Sequence, residues 1–229
     1  MTSLRHRARC AGVIYLVMSV LGAPTLLVLP KFIVAGDAAA TAQRIAEGEP
    51  TYRLLVLGGL VGSILFAVLG WSLYHLFVGV DRKLATLLLA LVLVSAAIGV
   101  LDAALLYAPL VLHDRAAALG AFAKPQLDAL GLMVLSIRTA ELRADIMLWG
   151  LWLVPFGLLV IRCDFIPSLI GILLLIAAVG YVAMSAAQIG FPAFVGIADR
   201  VGTILIQGEL VVILWLLIMG ARQPTADAG

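Results

Sequence analysis

Six apolar runs, each long enough to cross a bilayer, constrain this chain more than any other feature. A spanning helix needs roughly 20 mostly apolar residues. Residues 11–34, 54–80, 84–112, 166–189 and 201–219 meet that length, and 146–161 meets it when extended by a turn. Such a chain satisfies its backbone polar groups in lipid only as helices, so an all-α, polytopic transmembrane bundle is expected. Asp81, Arg82 and Lys83 separate the second run from the third, and Arg162, Cys163 and Asp164 separate the fourth from the fifth.

Composition agrees. Of the 229 residues, 64% are hydrophobic and only 12% are charged, about half the charge of a soluble domain. No polar stretch is long enough for a second domain, so residues 1–229 read as one transmembrane domain. A formal net charge of +2 without a basic stripe argues against nucleic-acid binding. Cys10 and Cys163 have no metal or redox spacing, and no cofactor is indicated. The partners expected are the lipid bilayer and a lipophilic small molecule. Six helices are few for a carrier, so transport would call for a homo-oligomer.

Residues 116–137 are divided by Lys124 and Pro125. The piece 126–137 is apolar but only roughly 18 Å long as a helix, so a short re-entrant or interfacial helix is expected. A short surface helix is expected within 36–53. There Asp37 is placed as an N-cap for residues 38–47, and Gly48 and Pro50 end the run.

Arg5, Arg7 and Arg9 precede the first run, and Arg82, Lys83, Arg162 and Arg222 fall on the same side. The triple arginine next to the first helix favours a cytoplasmic N-terminus. A bacterial cytoplasmic (inner) membrane is the expected location.

Two acids, Asp102 and Glu209, lie inside apolar runs, where a charge costs at least a few kcal/mol. Counted from the outer helix ends at 1.5 Å per residue, both lie roughly 14–15 Å deep, with Tyr181 and Ser63 at a similar level. Convergence would make the floor of an outward-opening polar pocket. Tyr107, Thr203, Gln207, Ser185 and Gln188 would form its wall, and Arg53, Arg138, Arg143 and Arg200 its mouth. A purely structural reading of the acids is that one is protonated and bonds the other, joining two helices. Glu209 and Asp102 are also the candidate acid–base residues.

His75 beside Trp71 and Tyr74 reads as an interfacial aromatic group. Gly58, Gly59, Gly62, Ser63 and Gly70 read as a close-packing helix face. A three-plus-three inverted repeat is not supported, because Asp102 and Glu209 do not sit at inverted positions.

Several segments carry a resemblance. They are Arg9-Cys10-Ala11-Gly12-Val13-Ile14-Tyr15-Leu16, then Gly36-Asp37-Ala38-Ala39-Ala40-Thr41-Ala42 with Arg53. Leu151-Trp152-Leu153 with Phe165-Ile166-Pro167 and Gly171 follow. The last is Gly208-Glu209-Leu210 with Leu214-Trp215-Leu216-Leu217 and Gly220. Together they resemble the bacterial domain-of-unknown-function family 4386 over nearly the whole chain. The resemblance implies an architecture but no reaction. It would place a histidine where this chain has Arg138.

Three functions fit these features. One is a binder or transporter of a small lipophilic or cationic molecule, with proton exchange at Glu209. Another is an intramembrane acid–base enzyme acting on a lipid or isoprenoid, by analogy with small terpene cyclases. The last is a structural or regulatory membrane partner protein. The carboxylates inside an apolar bundle favour the first.

Overall fold

The computed structural model describes residues 4–114, 120 and 122–221. Arg222 and residues 116–119 and 121 of the ambiguous stretch lie outside the described residues. In chain order the helices are α1 (Leu4–Leu27), α2 (Ala38–Glu47), α3 (Glu49–Phe77), α4 (Arg82–Asp114), α5 (Lys124–Arg162), α6 (Ser168–Gly190), α7 (Val195–Leu205) and α8 (Gly208–Ile218). Short 3-10 turns at Leu29–Lys31 and Pro192–Phe194 follow α1 and precede α7. Six segments are long and apolar enough to cross a membrane, the last being Pro192–Ile218, which contains both α7 and α8. The chain is an all-α polytopic bundle.

Several boundaries differ from the sequence reading, among them the second span, which runs Glu49–Phe77 and not 54–80. The first helix begins earlier, at Leu4, because its arginines are good helix formers. It ends by Leu27, before Pro30, which cannot donate to a helical ladder. The expected short helix at 126–137 is not a separate element. It is the first part of α5, which runs 39 residues without interruption from Lys124. The polar residues from Arg138 to Asp145 lower hydropathy there, but all are compatible with a helical backbone. The sixth span, expected as one helix, is broken at Ile206 and Gln207.

By compactness the chain divides into two units, each drawing on parts of α1, α3, α4 and α5. Unit 1 comprises Met1–Val17, Leu65–Ala96 and Arg143–Gly229, and unit 2 comprises Met18–Ile64 and Ala97–Leu142.

Unit 1 packs aromatic rings in series. Tyr15 and Phe66 both lie against Trp152, which stacks on Phe156; Phe77 meets Phe156 edge-on and stacks on Phe165. Helices α5 and α6 touch through Gly157 and Gly171. A Cβ on Gly157 would stand 2.8 Å from the Gly171 carbonyl oxygen, and one on Gly171 2.5 Å from that of Gly157. Only hydrogen fits there, the usual device where membrane helices pack backbone to backbone. Asp81 joins two turns of the same unit. One oxygen accepts from the amides of Lys83 and Leu84 at the start of α4, at 3.0 and 3.1 Å, and the other pairs with Arg162 at 2.5 Å. The Leu84 amide foremost, with Arg162, holds this carboxyl below the usual range.

Unit 2 contains the surface helix. The Asp37 carboxylate accepts from the Ala40 amide at 2.9 Å, the N-cap expected, and the Gly48 amide closes α2 onto the Arg44 carbonyl. The small-residue face of α3 receives α1: Gly58 faces the Leu21 carbonyl, Gly59 the Thr25 methyl and Gly62 the Met18 carbonyl. Tyr52 is fully buried among Leu55, Leu106, Leu110 and Leu135, and its hydroxyl donates to the Leu106 carbonyl at 2.8 Å.

Gly171→Val forces the α5–α6 contact apart and is expected to destabilise by about 1–3 kcal/mol, as overpacked cores do. A lower melting temperature in detergent, with Gly79→Ala unchanged, checks it, since a Cβ at Gly79 meets nothing. Cys163 is buried, its thiol pushed up by burial, whereas Cys10 is exposed. Maleimide is expected to label Cys10 and leave Cys163 largely unmodified until unfolding, read by mass spectrometry.

Candidate functional site: a carboxylate clasped at a helix break

The Pro192–Ile218 span carries its polar group where its backbone departs from α geometry. The Gln207 amide reaches the Ile204 carbonyl and the Glu209 amide the Ile206 carbonyl, both three residues back, at 3.3 and 3.0 Å. This is the tighter 3-10 pattern, a local interruption of the α-helical ladder within the span. Gly208 explains the site of the break. A Cβ there would stand 2.7 Å from the Leu173 carbonyl oxygen of α6, so the chain passes that helix at backbone distance.

Glu209 opens α8 one residue later. Its two carboxylate oxygens accept from two phenols on two other helices. Tyr181 of α6 donates to Oε2 at 2.8 Å, and Tyr15 of α1 donates to Oε1. Tyr15 is fully buried, with Trp152 against its ring, so that donor is held by packing. Hydrogen bonds to a charged group are worth about 1.5–3 kcal/mol each. Both carboxylate oxygens are thus occupied by a phenol. Among the described residues no ion pair reaches Glu209.

The clasp continues into α5. Trp149 meets Tyr181 edge-on, its ring centroid 6.1 Å away, and donates Nε1–H to Asp145 at 2.8 Å. Asp145 is buried and also accepts from Ser95 of α4 at 2.8 Å. In unit 1 the carboxylates of Asp145 and Glu209 are therefore linked through a tryptophan and a tyrosine.

Asp102 belongs to unit 2 and has other company. Arg138 of α5 grips it with two nitrogens, Nε to Oδ1 at 2.7 Å and one terminal nitrogen to Oδ2 at 3.0 Å. The terminal nitrogen makes the hydrogen bond, and Nε completes a close, largely buried ion pair. Arg138, expected at a water-filled mouth, is only 5% exposed.

The remaining candidates are spread over both units. Ser63 donates to its own helix at Gly59 and packs where Gly99 leaves room. Tyr107 is largely exposed, within reach of Arg53, which pairs with Glu49 at 2.7 Å and Asp114 at 3.3 Å. The Gln207 amide nitrogen donates to the Thr203 carbonyl at 3.0 Å. The face of α6 that carries Tyr181, Ser185 and Gln188 does act as one row, but each member has a different partner. Tyr181 takes Glu209, Ser185 donates to the Arg143 carbonyl and Gln188 donates to Asp199. Among the described residues no group of three or more His, Cys, Asp and Glu is placed to hold a metal ion.

The family model described as Domain of unknown function (DUF4386) matches residues 10–220. The chain belongs to this family. No curated protein and no solved structure matches it. The DUF4386 match spans Tyr15, Asp102, Arg138, Asp145, Tyr181 and Glu209 alike.

Tyr15 and Asp145 escaped the sequence reading. Tyr15 looks like one more residue of an apolar run, and nothing local announces its distant acid. Asp145 sits in a polar stretch that suggests a helix end. Its i, i+4 spacing to Trp149 was the available signal for a shared face.

Arg138→Met strands the Asp102 charge in an apolar interior and is expected to lower stability by about 3–5 kcal/mol. The double variant Asp102→Leu/Arg138→Met is expected to recover most of that loss in a detergent unfolding titration. Equal losses in the single and double variants would contradict a closed ion pair.

Proposed function

We propose that this DUF4386 protein is a binder or carrier of a small lipophilic or cationic molecule, with Glu209 as its proton-exchanging group. In this reading it is one multi-pass domain of a bacterial cytoplasmic membrane, with its N-terminus inside. The observation that carries the proposal is the Glu209 carboxylate at the α7–α8 break, clasped by Tyr15 and Tyr181. Carboxylates within a span mark ion and proton pathways by default, and carriers place such sites at interrupted helices.

The charge balance supports exchange at Glu209 over Asp102. Protonating Asp102 would leave the Arg138 guanidinium buried beside a neutral acid. Protonating Glu209 leaves only two neutral phenols. Three charged residues on the packed elements have other partners. Arg9 of α1 donates to the Ile218 carbonyl, Asp199 of α7 accepts from Gln188, and Arg200 donates to the Gly196 carbonyl. Helix α6 carries no charged residue between Ser168 and Gly190.

Proton exchange here also has a mechanical consequence. An ionised carboxylate accepts from both phenols, whereas a neutral one has a proton of its own to donate. One of the two ties must then reverse, the carboxyl donating to a phenol oxygen, which changes how α8 is held to α1 or α6 next to the 3-10 turn. The proton state of Glu209 is thereby coupled to the position of the half-helix.

Infrared difference spectroscopy of the protein in nanodiscs tests this without knowledge of the substrate. Acidification is expected to raise a carboxylic C=O band that is lost in Glu209→Gln and kept in Asp102→Asn. Tyr181→Phe should shift the band's frequency, because it removes one donor. A titrating band that persists in Glu209→Gln would sink the proposal.

A further inference from the structure

Unit 2 contains a cavity of about 260 Å³ where α2, the start of α3, the end of α4 and the start of α5 meet. Its floor is apolar, formed by Ile45, Leu110, Leu132 and Leu135 among others. Its polar lining includes two carboxylates, Glu49 and Asp128. The cavity lies at helix ends, where a spanning helix meets water, so a ligand there would have its apolar body in the bundle and its polar group at the border.

The two carboxylates differ in availability. Glu49 is held by Arg53 at 2.7 Å, and both side chains are more than a third exposed. Asp128 is 13% exposed, and its cation is Lys124, one turn earlier at 2.8 Å. The Lys124 side chain is 75% exposed. An ion pair whose cation stands in water contributes little, and Lys124 loses little by swinging away. The carboxylate it leaves is largely buried and faces an apolar cavity. A ligand cation in that place would gain from low surroundings of water without the rotamer cost of a lysine.

We infer that this cavity is a binding site for a small organic cation, an ammonium group carried on one aromatic ring or a short alkyl body, with Asp128 as its counter-ion. This goes beyond the role of Glu209 and rests on separate residues. Charge decides the sign of the ligand: Arg53 already balances Glu49, and the ammonium that balances Asp128 stands in water, so Asp128 is the charge that a ligand in the cavity would meet. Volume decides its size. The cavity falls just below the usual range of about 300–1,000 Å³ for ligand pockets, too small for a two-chain lipid. Gly131 lines the cavity, and a Cβ there would meet Pro109 at 3.7 Å and Leu112 at 3.9 Å in ordinary contact, so a larger side chain can be carried at this position and would project into the lining.

Calorimetric titration of the full chain in nanodiscs with benzyltrimethylammonium tests the assignment, with benzenesulfonate as the anionic counterpart. Saturable binding of the cation and none of the anion is expected. Asp128→Asn should weaken the cation by at least about tenfold, and Gly131→Leu should abolish binding by filling the space. Lys124→Ala should tighten it several-fold, an outcome that a merely structural Asp128–Lys124 pair would not produce. Absence of cation binding, preference for the anion, or an unchanged affinity in Asp128→Asn overturns the inference. Phosphatidylethanolamine retained by the wild-type protein and lost in Gly131→Leu, without binding of the soluble cation, overturns the small-ligand assignment in favour of a lipid headgroup. Glu209→Gln is expected to bind the cation normally, so failure here and failure of the Glu209 reading are separable.

Discussion

A polar group taken out of water must find a partner inside the protein, and most of this structure follows from that requirement. Hydrocarbon offers no hydrogen bonds, so helices satisfy the backbone, and each intramembrane side chain with a charge or hydroxyl has to be matched by another helix. Asp102 takes Arg138 across two helices of unit 2. Asp145 takes Ser95 and Trp149, and Tyr52 reaches the Leu106 carbonyl. These ties set which faces of α3, α4 and α5 turn inward, because a rotated helix would leave a donor or a charge in lipid. Glycines then decide how closely the helices approach. Gly157 against Gly171 brings α5 and α6 together at backbone distance, and Gly58 and Gly62 admit α1.

The helices were legible in the sequence because hydropathy over 20 residues measures the quantity the bilayer selects. The errors came where hydropathy and helicity part company. Residues 138–145 carry three charged groups before Asp145 closes the stretch, and a hydropathy count ends a span there. The backbone does not respond to hydropathy, so α5 continues through. The opposite happened in the last span. Its hydropathy is high enough for one continuous span, yet the helix breaks at Ile206 and Gln207, where Gly208 lets α6 press against the backbone. The surface helix was legible in detail, since its N-cap and its stop are local features written in adjacent residues.

The site was legible in part. Glu209 and Tyr181 stood out as polar residues in apolar runs, and depth counting placed them at one level; the structure joins them. Depth counting also brought in Ser63, whose hydroxyl is satisfied within its own helix. Depth is one coordinate, and which side of a helix faces inward is the second. Tyr15 was missed for a related reason. A buried tyrosine near an arginine-rich start looks like an interfacial anchor until its partner, 194 residues later, is in view.

The two deep acids show how one residue type takes two roles from its neighbours. A carboxylate closed on a guanidinium is neutral as a pair, and removing the proton balance on either side costs the isolation of the other charge. Asp102 is therefore fixed, a joint between α4 and α5. A carboxylate held by phenols has donors that are themselves neutral, so its charge can come and go without stranding a second one. The same donors still orient it, because Tyr15 is locked under Trp152 and Tyr181 lies against Trp149. Position completes the difference. Asp102 lies within an unbroken helix, whereas Glu209 lies at the first turn of a half-helix whose connection to α7 is already a tight turn. The backbone is thus continuous at the acid paired with a guanidinium and interrupted at the acid held by phenols.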